Sequence, residues 1–297
     1  AAHLSRRALT GAMAGLFLGG GAARGPRQAS AHPTPPPYLR SRGLGDEPNL
    51  DPASGDLPAP AAFSYTDSDD ETSDCIFYAA DGAPVGLVVY LDGDGQFFHS
   101  QGGQSQDERS PGGLAGVGGV VEAAGVRGFD VVSVRSPGDD GMWWLEDQDG
   151  KVRYLEETLD YVAAECGANM DQLWLVGYSG GSEFISRRFF PAYAERMPGG
   201  GFINFGGGDA PEERAAAFSG DAKERLSLNW VTGTRDVPSN SLDGFDGIGH
   251  ARNSLAYYRS AGFGHTWSEW PDDDHGSITE KFGRYVGRVL DDAASGK

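Results

Sequence analysis

The chain has 297 residues, is 39% hydrophobic and carries a formal charge of −19, with 24 Lys and Arg against 43 Asp and Glu. This length and apolar content suffice for one large α/β domain or two small ones. The acidic balance offers no basic stripe to neutralise phosphates, which excludes nucleic acid as an expected partner. Lysine is scarce, with only Lys151, Lys223, Lys281 and Lys297.

The first 31 residues read as an export signal of the twin-arginine type. Arg6 and Arg7 precede a mild apolar stretch over 11–18, and Ala29-Ser30-Ala31 has the small-residue pattern of a cleavage site. The apolar stretch is too short and too rich in glycine for a stable membrane anchor. The expected location is therefore outside the cytoplasm, secreted or in the cell envelope. Residues 32–61, rich in Pro, Gly and Asp, read as a linker. The folded domain is expected over 62–297.

Within the domain, strands and helices alternate. Segments 63–66 and 75–78 suggest early, antiparallel strands. A buried strand follows at 86–91, ending in Asp92-Gly93-Asp94-Gly95-Gln96. Small residues over 114–124 suggest a helix, and 129–134 the next strand. Val152, Leu155, Leu159 and Val162 recur at helical spacing across 151–166. Strand 173–176 precedes a helix over 182–196. Then come strand 202–205, a helix over 211–225 and strand 228–232. A helix over 251–260, strand 266–270 and a closing helix over 277–292 complete the order. Such alternation implies a mostly parallel central sheet with helices on both faces. The stretch between 208 and 228 has room for one ordinary helix and no large cap domain. Cys75 and Cys166 are the two cysteines; in an exported protein they would be either a disulfide or two separately buried thiols.

Residues 177–181 read Gly-Tyr-Ser-Gly-Gly and sit between the strand at 173–176 and a helix. This G-x-S-x-G pattern is a strand–turn–helix device that exposes one serine. A serine hydroxyl needs a base and an orienting acid to become a nucleophile. Asp236 follows strand 228–232, and His275 follows strand 266–270, each at a strand's carboxyl end, where open α/β sheets build their sites. Ser179 would attack an acyl carbonyl, His275 would carry the proton, and Asp236 would orient the imidazole. Asp243 and Asp246, in the same loop as Asp236, are alternative acids. The backbone N–H groups of Gly180 and Asp94 are the expected oxyanion donors. Trp143 and Trp144, in the loop over 136–150, are expected to wall the cleft, with Gly93 and Tyr178 also against the substrate. His99 reads as a surface loop residue that could reach substrate, and His250 and His265 as polar residues at element ends. The run Asp272-Asp273-Asp274 reads as a solvated loop without calcium-ligand spacing. No metal and no cofactor is expected.

The order Ser, Asp, His and the context of each residue resemble the α/β-hydrolase superfamily over roughly residues 62–293. The loop at Asp92–Gln96 is similar to the H-G-C-G-Q loop of polyhydroxybutyrate depolymerases and feruloyl esterases, with Asp92 in place of the His. Its Asp-Gly also resembles the esterase D and antigen 85 (mycolyltransferase) group. In both comparisons the residue after the first Gly supplies an oxyanion N–H, which here is Asp94. A carboxylate beside an oxyanion would repel it, so the Asp94 side chain is expected to point away or stay solvated. The resemblance implies a secreted serine esterase acting on a small-molecule or polymeric ester in an open site. The alternatives are a cell-envelope acyltransferase, a secreted serine peptidase and an inactive surface-binding protein.

Overall fold

The computed structural model describes residues 60–102, 109–138, 140–211, 218–241 and 243–296. The export-signal reading and nearly all of the linker reading fall on residues 1–59, outside the described residues. Strand β1 (Ala61–Thr66) takes one residue expected in the linker. It pairs antiparallel with β2 (Thr72–Tyr78), and β2 pairs antiparallel with β4 (Phe129–Val134). All remaining pairs are parallel: β4 with β3 (Gly86–Leu91), β3 with β5 (Leu173–Tyr178), then β6 (Gly200–Phe205), β7 (Ser227–Val231) and β8 (Thr266–Glu269). The sheet order is β1-β2-β4-β3-β5-β6-β7-β8.

The central strands β3, β4, β5 and β6 are buried almost throughout. Their near-continuous apolar runs suit a sheet covered on both faces. One face carries α3 (Gln148–Glu165), α6 (Gly220–Arg225) and α7 (Gly247–Ser260), packed around Tyr154, Leu159, Phe202, Trp230 and Tyr258. The other face carries α2 (Val120–Gly125) and α8 (Phe282–Ala294), around Val88, Val176, Phe205, Phe282 and Val286. A short α1 (Phe97–Gln101) follows β3. Each large apolar side chain fully removed from water contributes about 1.5–3 kcal/mol before conformational entropy is charged against it.

The helix expected over 114–124 begins only at Val120; Gly116, Gly118 and Gly119 lie in turns before it. The helix expected over 182–196 is broken into α4 (Gly180–Phe184), a π-helical turn at Ile185–Phe189, α5 (Phe190–Tyr193) and a 3₁₀ turn at Ala194–Arg196. Pro191 has no N–H to donate back to the preceding turn, which accounts for the change of helical type there. Of the helix expected over 211–225, α6 occupies Gly220–Arg225, with Ser219 as its N-cap; residues 212–217 lie outside the described residues. The β6–α6 connection is too short for a cap domain. Cys75 and Cys166 are both buried thiols in the core on the α3 side of the sheet. Among the described residues no helix is long and apolar enough to cross a membrane.

Candidate active site

The turn after β5 carries Ser179 at φ 50° and ψ −117°, a backbone conformation that a residue with a Cβ rarely adopts. The turn is tight because its neighbours are small. A Cβ on Gly181 would lie 2.2 Å from the Leu91 carbonyl oxygen, and one on Gly177 would lie 2.7 Å from the Ser182 nitrogen. Ser179 sits half-buried at the carboxyl end of β5 and immediately before α4.

The structure brings Ser179, His275 and Asp236 together in one line. His275 Nδ1 lies 2.8 Å from Asp236 Oδ2, and His275 Nε2 lies 2.9 Å from Ser179 Oγ. Asp236 is buried, so its carboxylate takes the Nδ1–H and leaves Nε2 as acceptor for the serine hydroxyl. The two other acids of that loop are occupied elsewhere. Asp246 caps α7 by accepting the Gly249 N–H, and Asp243 accepts the Phe245 N–H and the Ser241 hydroxyl.

Several groups seat the imidazole. Tyr178 stacks on His275 at 5.1 Å between ring centroids, and its hydroxyl donates to the His275 carbonyl at 2.9 Å. Tyr178 thus holds His275 in addition to bordering the site. Phe245 meets the His275 ring edge-on at 5.4 Å. Behind His275, Asp272 of the acidic run stands solvated as expected, paired with Arg235, while the next two acids are built into the turn. Asp274 caps it through the Ser277 N–H, and buried Asp273 accepts from Ser277 Oγ and Lys281 Nζ.

The loop after β3 lies directly on the turn at Ser179. A Cβ on Gly93 would stand 3.1 Å from Ser179 Cβ and 3.0 Å from the Tyr178 ring. Asp92, in place of the expected family histidine, organises this loop: it is buried and accepts from the Gly93 N–H, the His99 N–H and the Tyr90 hydroxyl. Burial raises the Asp92 pKa, and these donors oppose the rise. Gln96 ties the loop across the cleft by donating to the Gly93 and Gly141 carbonyls, 3.1 Å each. Among the described residues the N–H groups of Asp94 and Gly180 take no part in backbone hydrogen bonding outside helices and strands. These are the two N–H groups expected from the sequence to face an oxyanion beside Ser179.

Two expectations change here. Trp143 is not a wall of the cleft: it is fully buried and stacks on Phe184 at 5.0 Å, inside the core. Trp144 does reach the site, donating its indole N–H to both carboxylate oxygens of Asp94 at 2.9 and 3.0 Å. The Asp94 side chain is exposed, as expected, but it faces Gly180 in the turn at Ser179 instead of pointing away. His99 is likewise a core residue, with Nδ1 2.8 Å from Ser133 Oγ; desolvation lowers its pKa to about 4, so it is neutral.

Glu183, one turn along from Ser179, has no counterpart in the sequence reading. Its buried carboxylate accepts from the Gly208 N–H at 2.8 Å, the Asp209 N–H at 3.3 Å and His250 Nδ1 at 3.0 Å, with Arg187 3.5 Å away. The ligand atoms of Glu183, Asp209 and His250 lie within 4.8 Å of one another. These N–H donors and Arg187 already engage the Glu183 oxygens, so the group reads as an ion-pair network joining α4 to α7. The hydrogen bond to Glu183 is the main cause that raises the His250 pKa, and burial opposes it; Asp209 adds to the rise and Arg187 subtracts. A His with a raised folded pKa contributes stability that is complete below its unfolded value of about 6.5. That contribution is lost as pH rises through the folded value. Melting temperature should therefore decline across this interval, and His250→Gln should remove that part of the decline. Calorimetry at a series of pH values checks this, and an identical slope in the variant would refute it.

No family model matches the sequence, and no curated protein matches it. Solved structures do. A poly(aspartic acid) hydrolase-1 from Sphingomonas sp. KT-1 is 13% identical, with a TM-score of 0.51 over 79% of this chain and 99% of its own. The esterase Pf2001 of Pyrococcus furiosus is 12% identical, with a TM-score of 0.50 over 87% of this chain and 98% of its own. The AtxE2 isopeptidase is 11% identical, with a TM-score of 0.52 over 81% of this chain; this chain spans only 41% of the isopeptidase's length. At such identities the likeness is one of fold. The sheet order, the strained turn at Ser179 and these likenesses together establish that this chain has the α/β-hydrolase fold.

Proposed function

We propose that the protein is an exported serine hydrolase that cleaves carboxylic esters through an acyl-enzyme on Ser179. The observation that carries the reading is the line of hydrogen bonds from Ser179 Oγ through the His275 imidazole to buried Asp236. In the first half-reaction Ser179 Oγ forms a bond to the acyl carbon while His275 Nε2 takes the hydroxyl proton. Negative charge on the carbonyl oxygen is met by the N–H groups of Gly180 and Asp94. The C–O bond to the alcohol then breaks, and His275 returns the proton to the leaving oxygen. Water repeats the sequence in reverse roles and frees the acid. Export is supported by the twin arginine and the Ala29-Ser30-Ala31 pattern.

The test is covalent labelling by a neutral fluorophosphonate, with the site of attachment read by mass spectrometry, followed by a panel of acetyl, butyryl, feruloyl and hydroxybutyrate esters. Labelling at Ser179 with turnover of at least one ester is the expected result. A protein that stays unlabelled while folded would overturn the reading.

A further inference from the structure

The Asp94 carboxylate occupies an unusual place for a reaction that builds negative charge. It follows Gly93, which packs on Ser179, and an added Cβ on Gly180 would lie 2.2 Å from Asp94 Oδ1. The carboxylate therefore rests against the residue whose N–H is the expected oxyanion donor. It is held there. Trp144 Nε1–H donates to both its oxygens, and the Trp144 ring edge lies against the same glycine, its Cδ1 2.8 Å from that Cβ position. On the His275 side, Asp243 is oriented by the Phe245 N–H and the Ser241 hydroxyl. Among the described residues neither Asp94 nor Asp243 takes part in an ion pair, whereas neighbouring Asp140 is matched by Lys151 at 3.0 Å.

A fixed negative charge beside the oxyanion position opposes the transition state of a neutral ester. It opposes that of an anionic ester still more. A substrate that brings its own positive charge reverses the balance, because the carboxylate then attracts it throughout the reaction. An indole and a carboxylate side by side also form a pairing well suited to an ammonium group. We propose that Asp94 is a specificity-determining residue, selecting esters that carry a positively charged amine or quaternary ammonium close to the scissile bond. This rests on the reading of Ser179 as the nucleophile. Partial desolvation raises the Asp94 pKa, nearby Asp243 and Asp140 add to the rise, and the Trp144 N–H opposes it.

Two matched series test it. Butyrylcholine against its uncharged isostere 3,3-dimethylbutyl butyrate places the cation in the alcohol. The p-nitrophenyl esters of 4-(trimethylammonio)butyrate, 5,5-dimethylhexanoate and monoglutarate place a cation, no charge and an anion in the acyl group. At low salt, kcat/KM for the cationic member of at least one series should exceed the neutral one by roughly tenfold, and the anionic ester should fall below the neutral one by a similar factor. Both ratios should shrink in 0.5 M salt. Asp94→Asn keeps an acceptor for Trp144 and should collapse both ratios to within about twofold. Wild-type ratios near one in both series, or ratios that persist in Asp94→Asn, would overturn the proposal. Failure of Ser179 to take the neutral fluorophosphonate would instead remove the reading beneath it and this inference together.

Discussion

Replacing Ser179 with glycine is expected to abolish hydrolysis and raise the melting temperature at once. The loss should be large, on the order of 10⁴–10⁶ in kcat, because base and acid have nothing to activate once the nucleophile is gone. The gain has a separate origin. Ser179 is held at φ 50° and ψ −117°, and a strained backbone of this kind costs on the order of 1–3 kcal/mol in a residue with a Cβ. Glycine relieves most of that strain but makes the unfolded chain freer, a penalty of about 0.4–1 kcal/mol. The difference favours the glycine variant by about 1 kcal/mol at the centre of these ranges, roughly 2–4 °C for a domain of this size. Ser179→Ala is the control: it loses the hydroxyl, keeps the Cβ and should gain no stability from the backbone. Calorimetry of the three proteins, with turnover of a p-nitrophenyl ester, separates the two effects. A glycine variant no more stable than the alanine variant would contradict the strain, and full activity in the alanine variant would contradict the nucleophile.

That pair of substitutions also marks which parts of the fold the sequence discloses. The strands that carry the site are short apolar runs between breakers, and a run buried on both faces has one reading within an alternating α/β pattern. The order of Ser179, Asp236 and His275 was legible for the same reason, since each closes a readable strand. The loops were not legible in this way. Trp143 and Trp144 are adjacent and chemically alike, and no period operates in a loop to send one inward. Packing on Phe184 takes Trp143 into the core, and the carboxylate of Asp94 takes Trp144 to the site. Nor could spacing announce Glu183 and His250, which meet across 67 residues because α4 and α7 cover the same face of the sheet. A glutamate one turn after Ser179, at the start of a helix packed on the sheet, was the available signal, because a charge so placed must find donors.

Asp236→Asn is expected to lower kcat/KM by about 10³–10⁴ with little loss of stability, and the reason lies in which nitrogen holds the proton. The buried carboxylate accepts from His275 Nδ1 at 2.8 Å, so Nε2 faces the Ser179 hydroxyl without a proton. An asparagine amide can instead donate to Nδ1. The imidazole proton then moves to Nε2, where it blocks transfer from the serine. The geometry would survive and the acceptor would be gone. Asp246 provides the contrast within the same loop. It caps α7 through the Gly249 N–H, so Asp246→Ala should cost about 1 kcal/mol of stability and leave turnover within a few-fold of the starting protein. Steady-state kinetics and melting curves on both variants decide between them. If Asp236→Asn kept most of its activity while Asp246→Ala lost it, the acid of the triad would be the wrong one. The burial of Asp236 supports the expected result. Asp236 can orient the imidazole cheaply because it has already been withdrawn from water, and its remaining partners are the fixed turn at the end of β7 and the first residues of α7.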